Sequence, residues 1–314
     1  MEPPILIVAG PTASGKSALA LAIAESCGGT VINADSMQVY RDLRVLTARP
    51  GAAAEARAPH RLYGVIDAAE ACSAGRWRAL ALAEIAAARA AGRLPVLVGG
   101  TGLYLHALVH GLAPIPPVPA AVRADARALH AELGGPAFHA RLAARDPESA
   151  ARLHAEDAQR LVRAWEVLAA TGRTLGDWQR TPASGEVGAV SAVLLLPPRA
   201  ALYAAIDARF TAMMDDGAVD EVRALLARNL PAELPAMKAV GVREIAALLA
   251  GRATREEAIA AVQQATRHYA KRQITWLRHR MAGLRLLSLD AQYSERFLPE
   301  IFAFIRQPLL TAGT

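Results

Sequence analysis

Cysteine is nearly absent: Cys27 and Cys72 are the only two in 314 residues, and they are not in CxxC spacing. That excludes a disulfide scaffold and leaves both as expected small apolar filler. No HExxH pattern or Cys/His cluster surrounds the histidines, His60 among them, so no zinc is expected. No apolar run approaches the ~20 residues a membrane-crossing helix needs. Met1 to Gly10 carries Glu2 and two prolines before a short apolar stretch, unlike a secretory signal, so the cytoplasm is the expected compartment. Aromatic residues are only 5%, yet hydrophobic residues are 53% and charged residues 20%, too apolar for a disordered chain. Lysine is scarce as well, with Lys16, Lys238 and Lys271 among 35 basic residues, so each lysine merits a specific reason. Acid is missing from Ala258 to Leu289, where Arg267, Lys271, Arg272, Arg278, Arg280 and Arg285 equal the whole net charge of +6. Such a balance favours anionic partners.

What is present reads as alternating strands and helices. The apolar run Ile5–Ala9 predicts a buried strand, followed by a glycine loop and a helix to Cys27. Val31 to Asp35 and Leu94 to Val98 predict further buried strands, with a helix over Trp77 to Ala91 between them. The pattern implies an α/β fold, a P-loop NTPase-like parallel sheet with helices on both faces. Pro114, Pro116, Pro117 and Pro119 then break it. Helices only are expected over Ala120–Leu133, Phe138–Arg145 and Ala158–Ala170, before a strand at Val190–Leu196. The expected organisation is a core over 1–113, an inserted all-helical domain over 114–188, and a returning strand with a helical, basic C-terminal region over 189–314.

Gly10-Pro11-Thr12-Ala13-Ser14-Gly15-Lys16-Ser17 fits GxxxxGK(S/T) between a strand and a helix. Its glycines let backbone N–H groups converge on phosphate oxygens, with Lys16 reaching the terminal phosphate and Ser17 holding Mg²⁺. Asp35 ends the next strand and is expected in the same crevice, since ligands of open parallel sheets lie outside the carboxyl ends of strands. Its carboxylate suits proton abstraction; equally, it could cap the next turn or bind Mg²⁺ through water.

Five segments in order, GPTASGKS (Gly10 to Ser17), DSMQVY (Asp35 to Tyr40), LVGGTGLY (Leu97 to Tyr104), DAQRLVRA (Asp157 to Ala164) and KRQITWLR (Lys271 to Arg278), resemble the bacterial tRNA dimethylallyltransferase family. The resemblance spans Ile5 to Arg278. It implies transfer of a dimethylallyl group from dimethylallyl diphosphate to the exocyclic amine of the adenosine 3′ to the tRNA anticodon, with Mg²⁺ as cofactor. The loop from Gly10 to Ser17 would then hold a leaving diphosphate, and Asp35 would take the amine proton. Thr101 would orient the amine or the diphosphate and touch the tRNA; a plain helix N-cap is the other reading. Arg209 resembles a family arginine that helps bind the diphosphate, or is an exposed helical arginine.

For the RNA, the resemblance implies contacts from Asp35, Ser36, Met37 and Gln38, which would line a pocket for an extruded adenine. Gln38 has donor and acceptor geometry for an adenine edge, or is a surface turn glutamine. Further contacts are implied at Arg123, at Gln159, Arg160, Leu161, Val162 and Arg163, and at Ala239, Val240, Gly241, Val242, Arg243 and Glu244. Leu161 is expected to point inward and, with Val162, to support the rest. The basic helix completes the set with Lys271, Arg272, Gln273, Ile274, Thr275, Trp276, Leu277 and Arg278. Helical spacing groups Arg267, Lys271, Ile274 and Arg278 on one face and Tyr269, Gln273, Trp276 and Arg280 on the next. Cations and aromatics side by side suit an unpaired anticodon loop; a solvated basic face with Trp276 in the core is the bland account. Departures from the family pattern fall at Leu46, Arg49, Cys72, Val242 and Glu244.

Two other enzymes remain open: a prenyltransferase acting on free adenine nucleotide and a P-loop small-molecule kinase. The first has no need of the insertion or the basic helix; the second usually places an aspartate at the end of an apolar strand, and only Val31 to Ala34 leads into one, Asp35, which that reading would assign to Mg²⁺. A monomer with no membrane association is expected, lacking any heptad seam.

Overall fold

The computed structural model describes residues 4–181, 187–281 and 283–311. Residues 1–3, from the start of the chain, and 182–186, from the tail of the expected insertion, lie outside the described residues. Residues 1–109 with 187–314 form one compact unit and residues 110–186 another.

The larger unit opens with β1 (Ile5–Ala9), α1 (Lys16–Cys27) and β2 (Gly29–Asn33). Gly28 ends α1 in the left-handed region, φ 63, and returns its N–H to Ala24 O, so the strand begins at once. There follow α2 (Ala52–Arg57), β3 (His60–Arg61), α3 (Ala74–Ala90), β4 (Leu94–Gly99) and α4 (Gly102–His110). Ser73 caps α3 by accepting the Arg76 N–H.

In the smaller unit α5 (Ala120–Ala143) is interrupted by Gly134, whose φ 74 and ψ 167 are not helical. Next come α6 (Pro147–Arg152), α7 (Ala158–Thr171) and α8 (Leu175–Arg180), with Asp146 and Asp157 capping the first two and a Thr174/Asp177 capping box opening the third. Phe138, Leu142, Leu161 and Ala164 form this unit's own core.

The chain then adds β5 (Val190–Leu195), α9 (Arg199–Asp215), α10 (Ala218–Ala227), α11 (Val242–Leu249), α12 (Arg255–Arg280), β6 (Arg285–Leu289) and α13 (Leu298–Thr311). All six strands are parallel, in the order β3-β2-β4-β1-β5-β6. Period-two alternation sends Ile5, Ile7 and Ala9 to one face, against Trp77, Ala81 and Ile85 of α3 and Leu105 and Leu108 of α4. Leu6 and Val8 go to the other, against Leu19, Ile23 and Ala24 of α1 and Ile301 and Ile305 of α13. The fold is therefore α/β with helices on both faces.

The structure differs from expectation at several elements. β2 lies at Gly29–Asn33 rather than Val31–Asp35, because the Asn33 side chain takes the Asp35 N–H at 2.9 Å and ends the ladder early. The two-residue β3 is too short to show a period, and β6 alternates burial along an edge. The six-residue helices α6 and α8 are held by caps rather than by an apolar stripe.

Candidate active site

The phosphate loop leaves β1 through a passage only glycine fits. A Cβ on Gly10 would lie 2.6 Å from Ser14 Oγ and 2.7 Å from Leu195 O. Pro11 is buried and Ala13 adopts φ 64. Gly15 (φ 87) delivers the chain into α1, whose first amides, at Lys16 and Ser17, have no carbonyl to meet within the helix. Ser14 is fully buried and its Oγ has no partner among the described residues. A buried hydroxyl beside the free first amides of a helix suits an anionic oxygen. Ser17 is exposed at the first turn of α1.

Lys16 Nζ lies 3.3 Å from Pro11 O. Burial pulls its pKa down to about 8; the Asp35 carboxylate opposes that and the Arg209 cation adds to it. Burial also lowers the Arg209 pKa, again against Asp35. Arg209, from α9, donates a hydrogen bond to Thr12 Oγ1. Lys16, Asp35 and Arg209, far apart in sequence, thus feel one another's charge at the carboxyl ends of β1 and β2.

Asp35 is fixed by short-range bonds. Its N–H goes to Asn33 Oδ1 and its carbonyl accepts from Asn33 Nδ2 at 3.0 Å, while its Oδ1 accepts the Met37 N–H at 2.9 Å. One carboxylate oxygen therefore caps the turn, as one reading of the sequence had it, and no protein donor holds Oδ2 among the described residues. Thr101 does not cap α4 with its side chain: its Oγ1 accepts the Ser36 N–H at 2.9 Å and donates to Ser36 Oγ at 3.3 Å. Gly99 makes this junction possible, since a Cβ there would sit 2.1 Å from Ala34 O. Burial raises the phenol pKa values of Tyr63, Tyr104 and Tyr269, and Asp35 contributes to all three.

The expected RNA contacts divide by exposure. Ser36, Met37 and Gln38 are half-buried beside Asp35, but Gln38 Nε2 donates to Thr47 O at 2.8 Å and Ala48 O at 3.2 Å, so its donor side clasps a loop. In the 239–244 segment, Ala239 and Val242 are buried, Val240 is half-buried, and Gly241 (φ 102) has its N–H taken by Glu244 at 3.2 Å. Arg243 projects outward with its side chain 91% exposed. On α7, Gln159 and Arg160 are exposed, Val162 is half-buried and Leu161 is fully buried; Arg163 pairs with Glu166 at 3.4 Å. Arg123 of α5 is exposed.

Helix α12 corrects the expected faces. Lys271, Arg272, Thr275, Arg278 and Arg280 are exposed, whereas Gln273 and Leu277 are buried and Ile274 and Trp276 pack against the core. Arg267 is not on the outer face either: its guanidinium makes a two-pronged bond to Asp207 of α9. Ile274 falls inward because its apolar neighbours on α9, Leu202 and Ile206, lie there.

Three functional features escaped the sequence. Gln273 joins the phosphate loop to the turn after β4; its burial at i+3 from Ala270 and i−4 from Leu277 is the helical stripe that could have placed it inside. Glu221 of α10 accepts the N–H groups of Arg44, Val45 and Leu46 at 2.6, 2.7 and 2.9 Å. From behind, the Tyr293 N–H reaches Ser14 O at 3.2 Å and Gln292 Nε2 reaches Ala13 O at 3.3 Å.

Among the described residues no group of three or more His, Cys, Asp or Glu could hold a metal, and no helix is long and apolar enough to cross a membrane.

Comparison with known proteins gives a family match to IPP transferase over residues 38–280. The tRNA dimethylallyltransferase of Rhodospirillum centenum is 61% identical over 284 residues, 90% of each chain. That of Paramagnetospirillum magneticum is 55% identical over 310 residues, 98% of each. Among solved structures, the full-length tRNA isopentenylpyrophosphate transferase of Bacillus halodurans superposes with a TM-score of 0.68 at 32% identity, covering 96% of this chain and 95% of that one.

Proposed function

The chain belongs to the IPP transferase family, and from that premise we propose that it is a tRNA dimethylallyltransferase. It moves the dimethylallyl group of dimethylallyl diphosphate onto the exocyclic amine of the adenosine 3′ to the anticodon, acting in the cytoplasm as a monomer. The observation that carries this reading is the convergence on one phosphate loop of Lys16, beside Pro11 O, and Arg209, on Thr12 Oγ1, with Asp35 near enough to favour the charged form of both.

In this reaction the C1–O bond to the diphosphate breaks, a bond from C1 to the amine nitrogen forms, and the amine loses a proton. The diphosphate leaves with its charge met by Lys16, Arg209, the amides of Ala13, Gly15, Lys16 and Ser17 and the Ser14 hydroxyl. Burial keeps water from screening those charges. Asp35 accepts the proton on Oδ2, because Oδ1 is engaged by Met37 N–H. Thr101 holds Ser36, and so keeps Asp35 facing the amine.

Mg²⁺ fits the donors present. It takes few protein ligands and several phosphate oxygens, so the Ser17 hydroxyl and the diphosphate would hold it without a carboxylate cage. When bound it neutralises negative charge on the leaving group. The exposed cations of α12, with Arg243, Arg123, Gln159 and Arg160, are suited to RNA phosphates.

A kinase is disfavoured by topology. β4, the neighbour of β1, ends in Gly99-Gly100 with no aspartate. The test is mass spectrometry of nucleosides from tRNA incubated with the protein, Mg²⁺ and dimethylallyl diphosphate. One adenosine gaining a dimethylallyl mass supports the proposal. ADP release with ATP, or a better reaction with free AMP than with tRNA, refutes it.

A further inference from the structure

Within the KRQITWLR run one polar side chain is turned fully away from solvent. Gln273 is 5% exposed, and both ends of its amide are used. Oε1 accepts the Thr12 N–H at 2.8 Å and Nε2 donates to Gly100 O at 2.9 Å. The partners fix the amide's orientation, since an N–H faces one end and a carbonyl the other. Its approach needs glycine: a Cβ on Gly100 would lie 2.2 Å from Nε2. Thr12 is a junction, for its hydroxyl also receives Arg209. The amide of Thr12 therefore points at α12 and not into the anion cradle.

We infer that Gln273 is a positioning residue for the diphosphate site and makes no RNA contact: it clamps the phosphate loop to helix α12 through Thr12 and to the turn before Thr101 through Gly100. The inference rests on the function proposed above. It joins two sites through one helix. Lys271, Arg272, Thr275 and Arg278 occupy the outer side of α12, and Gln273, on its inner side, holds the loop that grips the leaving group. Without the clamp, Thr12 is free to turn, and Arg209 loses the fixed hydroxyl that aims it.

The experiment uses the full chain and two separate ligands, inorganic diphosphate with Mg²⁺ and an anticodon stem-loop RNA, each titrated by calorimetry. Gln273→Met removes both bonds at similar volume, and is expected to weaken diphosphate binding about tenfold, the scale of one lost buried hydrogen bond, while the RNA Kd stays within about twofold. Arg278→Ala is expected to do the reverse. Gln273→Glu supplies a signature that general loosening does not. Its added oxygen would face Gly100 O unprotonated, whereas the acid form restores a donor, and burial raises a carboxyl pKa. Its diphosphate deficit relative to wild type should therefore shrink as pH falls from 8 to 6.

If Gln273→Met lacks a cooperative melt, Gln273→Glu decides alone: a deficit that shrinks toward pH 6 supports the clamp, and one that does not change with pH overturns it. Gln273→Met weakening RNA while leaving diphosphate unchanged overturns the inference and makes the residue an RNA contact. Wild type binding neither ligand overturns the proposed function and the clamp with it.

Discussion

The crevice around Lys16 and the outer face of α12 both carry positive charge, but in opposite surroundings. In the crevice Lys16 and Arg209 are desolvated, tied to Pro11 O and Thr12 Oγ1, and set against one carboxylate. On α12, Lys271, Arg272 and Arg278 stand in water with no acidic partner among the described residues. Buried charges act at short range and at full strength; exposed ones attract a polyanion and are screened by salt. Under the proposed function the contrast assigns chemistry to the crevice and docking to α12, and a substitution in one is expected to leave the other intact.

The sharpest way to break the comparison is Asp35→Ala. Turnover should fall about 10³-fold, the usual worth of a positioned base, with stem-loop affinity unchanged in a filter-binding assay. An equal loss in both would merge the two regions. Next in size is Lys16→Met, expected to lower turnover about 10²–10³-fold, measured at saturating substrate.

Lys16 also gives the crevice a pH signature. Its pKa in the free protein is depressed to about 8, so it is charged below that pH and loses its proton above it. Bound diphosphate favours the charged form and raises the pKa, so affinity should fall as pH climbs from 8 to 9.5, by up to about tenfold per unit. Lys16→Met should flatten that slope, read by titration across the range.

Arg278→Ala should cost only about 3- to 10-fold in stem-loop affinity and reduce the slope of log K against log salt by about one. Diphosphate affinity should not move. The smallest effect belongs to Glu221→Ala, which frees the amides of Arg44, Val45 and Leu46 and should lower stability by about 1–3 kcal/mol. A denaturant melt checks it.

How much of this could be read in the sequence follows from the range of each interaction. β1, the glycine loop and α1 are adjacent in the chain, so the motif and its flanking periods carry them entire. The alternation of strands and helices was enough for the layered sheet, but not for β3, which has two residues and no period. The α12 faces were misgrouped because spacing alone gives stripes and not their direction; Ile274 and Gln273 face inward only because α9 and the phosphate loop lie there. Glu221 was invisible, since a carboxylate that accepts three amides 175 to 177 residues away leaves no local pattern. Of the jobs the residues allowed for Asp35, the structure shows the turn cap, through Oδ1; the base is part of the proposed function and would use Oδ2.

The brace behind the phosphate loop bears on how the enzyme is made. Gln292 and Tyr293, which hold the carbonyls of Ala13 and Ser14, follow them by 279 positions, so the motif is made well before the donors that brace it. β1, the loop and α1 emerge together, while the contacts that brace the curve of the loop wait for the segment after β6. A nascent chain stalled short of β6 would carry the complete motif and still lack the two donors that hold the loop's carbonyls.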